Sequence, residues 1–146
     1  MEKNFKYWLV FVLLFVWQLP QALLGCLFFP FVGKLTLVAD RHYNFCWIGE
    51  TMKGGISLGP FSFVSKWSGK QQASIAHEVD GHTVDSKILG PLYLILIGLP
   101  SLFNAWFNIT DYYYDFYTER LANWHAGLIS NGFNLKFKNG KGNYSD

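Results

Sequence analysis

The stretch ASIAHEVDGHTVDS, residues 73–86, carries the residue types of a hydrolytic metal site. Catalytic zinc needs three protein ligands and an open position for water. Two histidines one helical turn apart can grip one ion, and a Glu directly after the first can take a proton from the attacking water. Here His77, Glu78 and His82 are the candidates for those roles. A third ligand must come from elsewhere, and Glu119, on a later polar helix, is the candidate. The remaining histidines are His42, in a strand-like region, and His125, which reads as a surface helix residue.

The spacing is unusual. Residues four apart differ by about 40° around an ideal helix, whereas residues five apart differ by about 140°. His77 and His82 are five apart, so a regular helix would turn them to different faces. Two resolutions stand open. A π-bulge absorbs one extra residue in a single wide turn, and such bulges occur often at functional sites; Gly81 would ease the distortion. Alternatively the helix stays regular, Glu78 and His82 share a face, and His77 pairs with Asp80. That makes Asp80 an alternative ligand, or the whole set a hydrogen-bonded polar patch.

The elements that must position these residues follow from hydropathy and turn signals. Residues 7–33 carry no charge, which is long enough to cross a bilayer core with tilt, with a kink expected at Pro20 beside Gln18 and Gln21. Lys3 and Lys6 resemble the start of a signal peptide, but no small-x-small cleavage site follows, so a retained anchor is expected. Residues 91–108 form a second apolar segment, broken by Gly90–Pro91 and by Pro100, expected to span or to enter partway. Lys and Arg fall equally on the two sides of such a topology, so orientation stays open. Between these segments, residues 34–67 are rich in β-formers, with strands expected in KLTLVAD, YNFCWIG and GGISLGPFSFVSKW. Residues 70–89 read as the helix of the HEVDGH motif, capped by Ser68 or Gly69. Residues 111–126 read as a second polar helix with Asp111 as N-cap and Gly127 as its stop. Residues 128–146 read as a polar tail. The expected fold is therefore a mainly α membrane protein with a small β patch, in one membrane-associated domain.

Composition agrees with an apolar environment. The 146 residues are 51% hydrophobic and 15% charged, against about 25% charged in ordinary domains. The net charge of +2 and the scattered basic residues exclude a nucleic-acid interface. Cys26 and Cys46 read as buried free thiols.

Taken in order, WQLPQALLG, GISLGPFSFVS, HEVDGH, LGPLYL, IGLPS and YYDFYTERLAN resemble a family of small bacterial membrane proteins with an HExxH-like motif, over roughly residues 15 to 127. The arrangement also resembles gluzincin zinc peptidases. That resemblance implies Zn²⁺ held by His77, His82 and Glu119, and Glu78 as general base. It also implies a residue at position 123 that holds a ligating histidine through its other ring nitrogen. Asn123 stands where the pattern has Asp, and one residue is inserted between His-Glu and Gly-His. The strand region Ile56–Val64 resembles the edge along which a peptide substrate adds. The resemblance implies a membrane-anchored metallopeptidase of the bacterial inner membrane, with the lipid bilayer and a peptide or protein substrate as partners. The alternative is a non-catalytic membrane interaction or scaffold protein, an inactive relative of such peptidases.

Overall fold

The computed structural model describes residues 2–66, 72–131 and 134–138. The expected Ser68 or Gly69 cap lies outside these residues.

The first apolar run does not form one rod. Helix α1 (Phe5–Trp17) ends at Gln18, and α2 (Leu19–Phe28) departs at 98°. Pro20 sits in the first turn of α2, where its missing N–H costs nothing. Gln18 and Gln21 explain why the chain turns there. Both are buried, and both bond the same residue of a distant helix: Ser86 Oγ donates to Gln18 Oε1 at 2.6 Å, and Gln21 Nε2 lies 3.0 Å from Ser86 Oγ. Gln21 Nε2 also donates to the Gly90 carbonyl at 2.7 Å. These amides need polar partners inside protein, and the turn brings both to Ser86 of the distant helix.

Two antiparallel strands follow, β1 (Leu35–Arg41) and β2 (Asn44–Gly49), joined at His42 and Tyr43 with φ of 55° and 61°. Two positive φ values in a two-residue loop are the hairpin geometry that matches strand twist. His42 therefore lies in a turn rather than in a strand. The next strand region divides at Gly59–Pro60 into β3 (Ile56–Leu58) and β4 (Phe61–Ser65). The sheet order is β1-β2-β4-β3, with β4 parallel to β2, so β3 is an edge.

Alternation along the strands makes this sheet the central layer. Phe45, Trp47, Phe61 and Phe63 face one side, where Phe29 of the turn after α2 packs edge-on at centroid distances of 5.0–5.4 Å to Trp47, Phe61 and Phe63. Cys46 and Val64 face the other side and form a buried cluster with Ile75 and Val79 of the motif helix. Cys46 is a buried free thiol as expected, its pKa pushed by burial up to about 12, whereas Cys26 is exposed.

The motif helix runs as α3 (Gln72–Ala76), a π-helical turn (His77–His82) and α4 (Thr83–Leu89). The second apolar segment divides into a 3₁₀ turn (Gly90–Leu92), a π-helical turn (Leu94–Gly98) and α5 (Leu99–Phe107), and Pro100 opens α5 rather than kinking it. The second polar helix, α6 (Tyr117–Ala126), starts at Tyr117 and not at Asp111. Tyr113–Asp115 form a 3₁₀ turn that aims Tyr113 and Tyr114 at the motif helix. Gly127 ends α6 at φ 68°, the expected left-handed stop. A hairpin of β5 (Leu128–Asn131) and β6 (Asn134–Phe137) occupies the start of the expected polar tail. Its Leu128 and Leu135 bury against Ala73 and Ala76 of α3.

The expected fold class is thus corrected. Among the described residues helix predominates over strand, and the strands form two sheets, which makes this a mixed α/β fold with the larger sheet at its centre. Among the described residues no single helix is long and apolar enough to cross a membrane. The length of the 7–33 run satisfied the spanning criterion, but the paired glutamines divide it. The motif helix is held from two sides, by the sheet through Ile75 and Val79 and by the hairpin through Ala73 and Ala76.

Candidate metal centre

The π-turn resolves the spacing of the histidines. With one extra residue in a wide turn, His77 and His82 come to the same face, their ring centroids 4.8 Å apart. Both are buried. Val79, inside the same turn, points into the core, so burial of Val79 and convergence of the histidines are satisfied together.

Helix α6 delivers the third group. A Cβ built on Gly81 would lie 2.6 Å from the Ala122 carbonyl oxygen, so the two helix backbones touch at that point. Only glycine allows this approach. It brings Glu119, one turn before Ala122, and Asn123, directly after it, onto the histidines. Glu119 Oε2 sits 2.8 Å from His77 Nε2 and 3.0 Å from His82 Nε2. Asn123 Oδ1 lies 2.7 Å from His77 Nδ1, which fixes that ring with Nε2 facing Glu119. The other oxygen of Glu119 accepts from Ser101 and from Thr118 Oγ1. Replacing Gly81 by Ala is expected to push α6 outward. The expected results are a lower melting temperature and weaker metal uptake, read by thermal denaturation with and without zinc.

One ligand atom from each of His77, His82 and Glu119 lies within 4.8 Å of the others, and this buried group could hold a metal ion. The donor set, two imidazoles and one carboxylate, is that of zinc hydrolases. The electrostatics suit a cation. Burial alone would raise Glu119, but His82 and His77 outweigh it and hold the carboxyl well below its usual range. Burial alone would lower His82; Glu119, then Asp85, then Glu78 outweigh it and hold the ring well above the usual imidazole range.

Glu78 is buried beside this group. Its Oε2 accepts from Ser57 Oγ on β3 at 2.5 Å, and Ser57 is backed by Ser62 at 3.1 Å and, through it, Asn44 at 3.2 Å. Gly55 packs directly against the Glu78 carboxylate: a Cβ there would lie 2.2 Å from Oε1, so the carboxylate would have to shift. Two cavities meet at Glu78. One, of about 280 Å³, is lined by Glu78 and His82 together with Leu24, Phe28, Leu58, Leu94 and Leu102. The other, of about 320 Å³, is lined by Lys53, Ser74, His77, Glu78 and Tyr114. Tyr113 borders both. Its pKa is raised, by burial first and then by Glu119, so the hydroxyl stays a donor.

Asp80, the alternative ligand, lies apart from the group. Arg41 binds it through two nitrogens at 3.0 and 2.7 Å, and His42 Nε2 is 3.6 Å away. Two residues emerge that sequence reading did not place at the site. Asp85 is buried behind His82, and His125 is 3.0 Å from it instead of on the surface. The hydrophilic spacing around Asp85 gave no signal of burial. Comparison with protein-family models, with curated proteins and with solved structures returned no match.

Proposed function

We propose that this chain is a zinc metallopeptidase in which His77, His82 and Glu119 hold the ion and Glu78 is the general base. The observation that supports it most is convergence. Three donors from two elements meet on one side of a distorted turn, and a fourth buried acid stands next to them between two cavities. A bound zinc ion supplies Lewis acidity, polarising a carbonyl and making water a nucleophile near neutral pH. The protein does the rest. Glu78 takes the proton of the attacking water and returns it to the leaving amine. Ser57 holds the Glu78 carboxylate in place, and Tyr113 offers its hydroxyl to the developing oxyanion.

The substrate side of this reading rests on β3. As an edge strand it can take a peptide as a further strand. Tyr93 already donates to the Ser57 carbonyl at 3.1 Å, so pairing is proposed at Gly55 and Ile56, next to Glu78. The cavity walled by α2 and α5 would take an apolar side chain of the peptide. The bilayer enters as a partner on separate grounds. Helix α1 buries none of its residues, and Phe5 (81% exposed), Leu27 (67%) and Phe107 (69%) belong to an extensive apolar surface. Such patches mark interaction sites. This supports contact with a lipid surface through helix faces, and with it a location at the bacterial inner membrane.

The alternative reading, a non-catalytic interaction protein, is favoured by one observation: Glu119 Oε2 lies within hydrogen-bond distance of Nε2 of both histidines, and Ser57 donates to Glu78. Elemental analysis of the purified protein separates the two. The expected result is about one zinc per chain, as in sites of this donor type, and its loss in His82→Ala. Protein without zinc, or zinc indifferent to His82, would leave the interaction protein as the better reading.

A further inference from the structure

Three polar atoms behind the metal centre are buried and lack an aligned hydrogen bond: His82 Nδ1, Asp85 Oδ1 and Asp85 Oδ2. They face one another. His82 Nδ1 is 3.7 Å from Asp85 Oδ2, and Asp85 Oδ1 is 3.0 Å from His125 Nε2. Asp85 is 1% exposed. A carboxylate at that depth is costly unless its neighbours compensate it, so its position calls for a reason.

From this geometry we infer that Asp85 is the positioning residue for His82, with His125 as its outer support. The inference rests on the proposed metal reading and concerns only this chain's own residues. If His82 Nε2 is given to a metal, the ring must carry its proton on Nδ1. The acceptor facing that nitrogen is Asp85 Oδ2. A carboxylate there fixes the tautomer and the ring orientation and makes the imidazole a stronger donor. His125, from the last turn of α6, faces the other oxygen and so ties this carboxylate to the helix that carries Glu119.

The two histidines are then supported unequally. His77 is held by the neutral amide of Asn123, and His82 by a carboxylate. The charge missing behind the first ring is present behind the second. The donor set thus keeps one anionic support although position 123 is an amide. Asp85 was free to take this role because the π-turn ends at His82. From there α4 is regular, and a residue three positions on returns to the same side of the helix.

The test is metal affinity, measured by competition with a chromophoric chelator on wild type, Asp85→Asn and His125→Ala, with far-UV circular dichroism to establish folding. The absorption spectrum of the cobalt-substituted forms gives a second readout. Outer partners of metal-ligating histidines typically contribute 10–100-fold in affinity. Asp85→Asn is expected to weaken zinc by that factor and to shift the cobalt bands, since the His82 donor changes. His125→Ala is expected to weaken zinc less, in the same direction. Zinc affinity within twofold of wild type in folded Asp85→Asn, with unchanged cobalt bands, would overturn the inference alone. If Asp85→Asn does not fold, His125→Ala decides, and unchanged affinity there overturns the inference. Wild-type protein that takes up neither metal would overturn the metal reading, and this inference with it.

Discussion

Replacing Glu78 by Gln is expected to leave zinc in place and to remove hydrolysis. Glu78 is not one of the three converging donors, so the ion should be retained at the wild-type ratio. The amide fits the same space against Gly55, and its oxygen can still accept from Ser57. What it cannot do is take a proton from water. A positioned general base contributes about 10²–10⁴ in rate, and a loss of that size at constant zinc content is the expected result. It should be measured with internally quenched peptides carrying an apolar residue beside the scissile bond. Full activity in Glu78→Gln would reject the mechanism. No activity in the wild type, with zinc bound, would leave a metal protein of another kind.

The residues of this site were largely legible, because chemistry restricts residue type more tightly than it restricts local conformation. His77, Glu78, His82, Glu119 and Asn123 could be named from motif and order, and they lie together. The turn geometry could not be chosen from the sequence. A regular helix and a π-turn both accommodate HEVDGH locally, and the choice falls to packing. Val79 must reach the sheet and Gly81 must reach Ala122. Neither constraint is visible within the motif. The apolar run at 7–33 misled for a related reason. Its hydropathy was measured along the chain, while the break at Gln18 is set by Ser86, far along it. Asp85 and His125 were hidden likewise. Each alone reads as a solvated polar residue on a helix, and only the packing of α4 on α6 shows Asp85 buried and paired with a partly buried His125.

Glu119→Gln should have the largest effect on both metal and fold. Glu119 is completely buried, and one of its oxygens serves both histidines. The amide keeps the shape but loses the charge, and its nitrogen cannot accept. As a direct ligand Glu119 should matter more than a residue acting through another, so zinc affinity is expected to fall by more than the roughly 100-fold upper range for outer partners. The metal-free fold should change as well. His82 is held above its ordinary value of 6.5 by Glu119 among others, and Glu119 below its ordinary value of 4.5 by the histidines. A group whose folded pKa is raised stabilises fully below its unfolded pKa, and that contribution is lost as pH rises through the folded value. A group whose folded pKa is depressed stabilises above its unfolded pKa, and that contribution is lost as pH falls through the folded value. Both contributions are therefore present together between about pH 4.5 and 6.5, given these two ordinary values. In chelator, the wild-type melting temperature should peak in that window and fall toward alkaline pH as His82 loses its proton. Glu119→Gln should flatten that alkaline fall and lower the peak, because the buried imidazole has lost its anion. Added zinc should restore wild-type stability at alkaline pH, where protons no longer compete for His82, and should do little for the variant. A variant that keeps the wild-type pH profile and the wild-type zinc affinity would mean that Glu119 is neither the partner of His82 nor a ligand.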